Sequence, residues 1–409
     1  MKSALCLHNA TVLTGFSVMK QCAVYIKDGK IADVYNEERF RQKKFSPKVE
    51  IINVNGAYVM PGFIDTHIHG IGGKGADDAD YKSILHMSEV LAQYGVTSFI
   101  PTCCTAREKE LTEKIKAIVK ACGKEKGSHI LGIHLEGPFL SPERIGAQAV
   151  DGISPVDLGL MERLFKAAKG KLINMTVAPE LKGMRELALY CVEKGIILQA
   201  GHTDATYEQM LEGMQAGIMH VTHLFNAMRP MHHREPGVVG AVLIHPEISC
   251  EIIGDGVHIN PNLITLLLKS KPLSQIVLIT DALYPAKTDL SKTPDLYLDK
   301  CFYRKQDHVI NGSAISMLDG FRNLVSWGIP IEKAVRMAST NPAQIMGQKT
   351  KGLLIPGHDA DVIVLDKDLN LLHTIIDGKF VKGKKQCAQS SKKTSRTVPL
   401  GLPAILPIV

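Results

Sequence analysis

At 409 residues the chain exceeds the roughly 100–200 residues of one ordinary domain, so it has length for two or three domains and a large core. Its 45% hydrophobic, 22% charged and 5% aromatic residues exclude fibrous, membrane-embedded and largely disordered classes. No apolar run approaches the roughly 18 residues of a spanning helix. The net charge of +7 is concentrated near the C-terminus: Lys382, Lys384, Lys385, Lys392, Lys393 and Arg396 fall in 381–409, which has no acidic residue. We read this as a solvated tail, with no nucleic-acid or membrane partner. His8 and Asn9 interrupt the N-terminus before a secretory apolar segment forms, and nine cysteines without a Cys-x-x-Cys spacing suit free thiols, so a cytoplasmic location is expected.

Residues 4–58 read as short β-rich pieces broken by Asp28-Gly29 and Asn55-Gly56, dipeptides that favour hairpin turns. A similar pattern, with Asp377-Gly378 between apolar runs, returns at 352–383. Between these ends lie eight apolar runs, at 61–66, 96–100, 130–135, 173–178, 196–200, 218–222, 249–254 and 276–280. Helical patterns such as DYKSILHMSEVLAQYG, TYEQMLEGMQAG and NPNLITLLLKS separate them. Eight βα repeats predict an α/β fold, a TIM-like (β/α)8 barrel, with a small composite β-sandwich domain built from both chain ends. The expected boundaries are 1–58 and 351–384 for the β domain, 59–350 for the barrel and 385–409 for the tail. A doubly wound open sheet is the rival, but no phosphate-loop lysine motif occurs.

The chemistry-bearing residues recur at strand ends. His67 and His69 follow the first run, Glu136 the third, His202 the fifth, His223 the sixth, Asp255 and His258 the seventh, and Asp281 the eighth. In a barrel all of these open onto one mouth. Singly, each has an ordinary structural explanation; His86, His129, His245, His308 and His373, outside this register, keep it. Jointly they are a donor set for a divalent metal: His67 and His69 share one side of an extended backbone, and nitrogen and carboxylate ligands suit Zn, Fe, Co or Mn alike. A metal of this kind lowers the pKa of its water from 15.7 to roughly 7, and Asp281 is positioned as general base.

PGFIDTHIHG resembles the first metal motif of the amidohydrolase superfamily. HLEGPFLSPERIGA, APE, GHTDA, THLFNAMRPMHHREPGVVG, DGVHINP, TDA and NGSAISM resemble the N-acetylglucosamine-6-phosphate deacetylases along the barrel, and the likeness spans about residues 5–383. HLEGPF and THLFNAM are the specific signals; PGFID and TDA are common to many barrels.

The resemblance implies that Glu136, His202 and His223 are the principal metal ligands and that Asp281 is the catalytic acid/base. It implies sugar contact by His258, phosphate contact by Asn226 and the Ala227 backbone, and phosphate pairing by Arg234 reaching across a homodimer interface into the neighbouring site. Ala147 and the loop around Met317 would line the sugar and acetyl pocket. Some members carry Gln and Asn at the positions of His67 and His69 and hold one metal; both histidines here imply a second, bridged by Glu136. Gln148 stands where many members have a histidine, and Asn311 where a small apolar residue is usual. The expected reaction is removal of acetate from N-acetylglucosamine 6-phosphate in amino-sugar catabolism. The galacto epimer, another amidohydrolase acting on cyclic amides or N-acyl amino acids, and a non-catalytic scaffold are the alternatives weighed.

Overall fold

The computed structural model describes residues 4–289, 293 and 295–381; the basic tail, 385–409, lies outside the described residues. Eight parallel strands form the barrel: β1 Phe63–Ile68, β2 Val96–Cys104, β3 Ile133–Glu136, β4 Leu172–Val177, β5 Ile197–Ala200, β6 Ile218–Val221, β7 Ser249–Ile253 and β8 Ile276–Ile279. Each of the eight apolar runs corresponds to one of them. Helices fill the crossovers, and their ends obey local chemistry. Asp80 caps Tyr81–Ala92, Asn260 caps Pro261–Ser270, and Thr206 forms a capping box with Gln209 at the start of Tyr207–Gln215. The apolar helix faces pack on strands whose Phe63 and Phe99 are fully buried; burying such a side chain contributes on the order of 1.5–3 kcal/mol.

The seam between β8 and β1 is closed differently from the other strand junctions. Asp65, fully buried on β1, accepts from the Thr280 hydroxyl at 2.6 Å and the Thr280 amide at 3.3 Å. The Asp281 amide donates to the His67 carbonyl at 2.9 Å. Burial, opposed by these bonds and by His67, pushes the Asp65 carboxyl up to about 7. A side chain thus joins two strands that share no regular ladder, and it holds the first and eighth strand ends in register.

Both chain ends enter one eight-stranded sheet. Tyr58–Pro61 is the joint, pairing parallel with Ala4–Leu13 and antiparallel with Val362–Leu365. Asp28-Gly29 and Asp377-Gly378 make hairpin turns with positive φ at both residues, as their sequences predict. Asn55-Gly56 also turns with positive φ but forms no hairpin. The strands it connects, Val49–Asn53 and Tyr58–Pro61, run one after the other alongside Ala4–Leu13, both parallel to it. The Gly56 amide donates to the Asn9 carbonyl at 2.7 Å, so the turn is anchored to the neighbouring strand.

Candidate active site

Beneath the barrel mouth, side chains of β2 to β6 and their ends form a buried hydrogen-bonded belt. Thr102 Oγ1 lies 3.1 Å from His134 Nδ1, His134 Nε2 lies 2.8 Å from Thr176 Oγ1, and Thr176 continues to Thr222 and Gln199. Burial and the neighbouring His67 push the His134 imidazole down to about 3, so it is neutral. This polar floor fixes the strand ends from which the candidate site rises.

Three strand-end residues, His202, His223 and Asp281, have φ values of 46°, 26° and 48°. L-residues rarely adopt this region, and it persists where surrounding contacts over-determine it. His202 Nδ1 lies 3.1 and 3.0 Å from the Arg144 and Ile145 carbonyl oxygens, which only accept, so Nδ1 carries the proton and Nε2 presents a lone pair. That Nε2 stands 3.0 Å from Glu136 Oε1; His223 Nε2 lies 3.0 Å from the same oxygen.

A second group adjoins the first. His67 Nδ1 donates to Glu251 Oε2 at 3.0 Å, which turns Nε2 toward Asp281 Oδ1 at 3.5 Å and Glu136 Oε1 at 3.7 Å. This Nε2 is completely buried and has no hydrogen-bond partner. His69 Nε2 lies 3.2 Å from Glu136 Oε2 and 3.3 Å from Asp281 Oδ1, while its Nδ1 faces Cys104 Sγ at 3.2 Å. Glu136 therefore stands between two donor triads, Glu136/His202/His223 and His67/His69/Asp281, each compact enough for one cation.

Electrostatics favour positive charge here. Burial alone would lower the His67 imidazole, but Asp281, Glu251 and Glu136 more than offset it and raise it to about 10. Burial would raise Glu136, yet His202 and His67 hold it well below the carboxylate range. Asp281 is likewise lowered despite burial, by His67 and His69. Imidazole nitrogens and carboxylate oxygens that converge on one space in this way fit a divalent cation.

A cavity of about 310 Å³ opens above these groups. Ala147, Gln148, Asn226, Ala227 and His258 line it together with Glu136, His202, His223, His69 and Asp281. His258 Nδ1 is 2.5 Å from Asp255 Oδ2, and Asn226 Nδ2 donates to the carbonyls of His223 and Leu224. Gln148 Nε2 donates to Glu136 Oε2 at 2.5 Å, and its Oε1 accepts from the Thr105 amide at 2.9 Å. Gln148 is thus tied to the central carboxylate.

One expected residue is placed elsewhere. Met317 is fully buried in the hydrophobic core at the first turn of Met317–Ser326, where the Ser316 cap starts the helix; Val309 to Gly312, just upstream, line the cavity instead. Arg234 lies on an exposed loop, 2.9 Å from His233 Nε2, and does not line this chain's cavity. Sequence reasoning missed Glu251 and Cys104. The signal for Glu251 was present, because a lone acid interrupts an apolar strand. His86, His245 and His308 contact the Gly72 carbonyl, the Tyr207 hydroxyl and the Tyr297 hydroxyl, as structural histidines do.

The amidohydrolase family model matches residues 58–381. An N-acetylglucosamine-6-phosphate deacetylase from Bacillus subtilis is 34% identical over 406 residues, covering 95% of this chain and 100% of that protein. An N-acetylgalactosamine-6-phosphate deacetylase from Escherichia coli O157:H7 is 31% identical, covering 81% of this chain and 90% of that one. The crystal structure of N-acetyl-D-glucosamine-6-phosphate deacetylase from Mycobacterium smegmatis superposes with a TM-score of 0.84 at 29% identity, over 93% of this chain and 100% of that one. The chain is a hydrolase that belongs to the amidohydrolase family and, within it, to the N-acetylglucosamine-6-phosphate deacetylases.

Proposed function

We propose that this protein hydrolyses the acetamido bond of N-acetylglucosamine 6-phosphate, giving acetate and glucosamine 6-phosphate. The observation that carries the reading is Asp281, a carboxylate held ionised at the cavity wall, 3.3 and 3.5 Å from two imidazoles and facing the same space as Glu136, His202 and His223. The residues fit a divalent metal at Glu136/His202/His223 and a second at His67/His69/Asp281. When bound, such ions supply Lewis-acid polarisation and lower the pKa of water.

The chain's own residues then divide the work. Asp281 accepts a proton from the attacking water and returns it to the amine nitrogen as the carbon–nitrogen bond breaks, serving first as base and then as acid. Asp255 holds His258 Nδ1 as a donor, which leaves Nε2 to accept from a sugar hydroxyl. Gln148 orients Glu136 rather than the acetyl carbonyl. Asn226 and the Ala227 backbone border the phosphate end, and Arg234, exposed and outside its own cavity, serves the partner subunit of a homodimer.

Acetate release from 6-phosphorylated and unphosphorylated N-acetylglucosamine and N-acetylgalactosamine, with metal content measured in parallel, tests the reading. Turnover is expected to be fastest with the phosphorylated gluco sugar. Preference for the phosphorylated galacto sugar would establish the epimer reading, which the Escherichia coli relative favours. No release from any of the four would overturn both.

A further inference from the structure

Glu251 lies fully buried on β7, the one charged residue of that strand. Its Oε2 accepts from His67 Nδ1 at 3.0 Å and lies 3.4 Å from the His223 amide; its Oε1 accepts from the Thr66 hydroxyl at 3.4 Å. His220 Nε2 is 3.7 Å from Oε1, and among the described residues neither a lysine nor an arginine pairs with this carboxylate. A buried carboxylate is costly unless positive charge compensates it, and here that charge must come through a neighbouring group. His67 is that group, since its far nitrogen opens onto the second donor triad.

We infer that Glu251 is a positioning residue that builds the second metal site through His67. It fixes the tautomer, aims Nε2 at Asp281 and Glu136, and makes the imidazole a stronger electron-pair donor. His69, the other imidazole of that triad, is backed only by the Cys104 thiol, a much weaker partner. Glu251 therefore sets the affinity of the second ion, whereas His202 is oriented by the Arg144 and Ile145 carbonyls and His223 meets Glu251 only through its backbone amide, not its imidazole. The inference rests on the reading that His67 and His69 hold a second ion.

The test is Glu251→Gln, which keeps the shape and an acceptor for His67 Nδ1 while removing the charge. Metal-free wild type and variant are titrated with Co(II), following bound metal by elemental analysis after dialysis and by d–d absorption. The first equivalent is expected to bind as in wild type and the second about 10–100-fold more weakly. An unchanged second equivalent, or equal weakening of both, would overturn the role of Glu251. A wild type that stops at one equivalent would instead overturn the two-ion reading, independently of the variant. Should circular dichroism show that Glu251→Gln does not fold, Glu251→Asp carries the test. It keeps the charge but withdraws it from His67, so it should weaken the second equivalent selectively, and uniform or absent weakening overturns the inference.

Discussion

The Nε2 atoms of His202 and His223 lie 3.2 Å apart, both against one oxygen of Glu136. With His202 protonated at Nδ1, its electron pair faces the second imidazole nitrogen and the carboxylate oxygen, and a cation bound between them satisfies all three at once. Stripping metal with a chelator should therefore lower the unfolding midpoint and abolish activity, and re-adding metal should restore both. Ligand linkage gives about 4 kcal/mol when free metal is 1,000-fold above Kd. Calorimetry on verified metal-free protein checks this; an unchanged midpoint would remove the cation from the stability of the site.

Asp281→Asn should retain fold and the ion of the first triad but lose about 10²–10⁴-fold in kcat, the usual contribution of a general acid–base group. The amide can neither accept the water proton nor return it. Turnover above about a tenth of wild type would exclude Asp281 from proton transfer.

His67→Gln with His69→Asn should reduce bound metal from more than one ion per chain toward one. The Glu136/His202/His223 triad is untouched by these changes, so part of the activity should persist. Metal analysis of fully loaded protein decides, and a wild type that never exceeds one equivalent contradicts the prediction.

Arg234→Ala should raise KM for the phosphorylated sugar and lower its specificity constant about 10–150-fold, the effect of losing roughly 1.5–3 kcal/mol of charged hydrogen bonding. If the arginine acts across subunits, mixing Arg234→Ala with Asp281→Asn chains should restore one working site per heterodimer. Demonstrably exchanged heterodimers without recovered activity would place the arginine in its own subunit's site.

His129, at the base of the barrel, lies 3.3 Å from Asp377 in a hairpin turn of the terminal sheet, with Asp361 and Lys351 nearby. Asp377 raises the His129 imidazole against the effect of burial, and His129 lowers Asp377. The raised histidine contributes stability that is present below its unfolded value of about 6.5 and lost as pH rises through the folded value. The lowered aspartate contributes above about 3.9 and is lost on acidification. His129→Gln should thus lower Tm near pH 5.5, by less than about 3 °C for a pair whose aspartate is solvent-exposed, with the difference shrinking toward pH 9. A pH-independent difference would show that the pair acts by packing alone.

The sequence by itself determined whatever is local in the chain. Apolar runs alternating with capped helices specified eight βα units, and the residue following each run was legible as a strand end. His67, Glu136, His202, His223 and Asp281 could therefore be assigned to one barrel mouth before any coordinates. Tertiary structure decided the pairings between distant segments. Asn55-Gly56 has hairpin chemistry, yet its flanking strands pair with Ala4–Leu13, because partner choice follows sheet register rather than turn composition. Met317 was drawn into the core by the helix that Ser316 starts, and Gln148 was directed onto Glu136. Glu251 was concealed in an apolar strand because its partner, His67, is 184 positions away and meets it only when the barrel closes. Spacing along a strand fixes which way a side chain points; closure of the sheet fixes what it finds there.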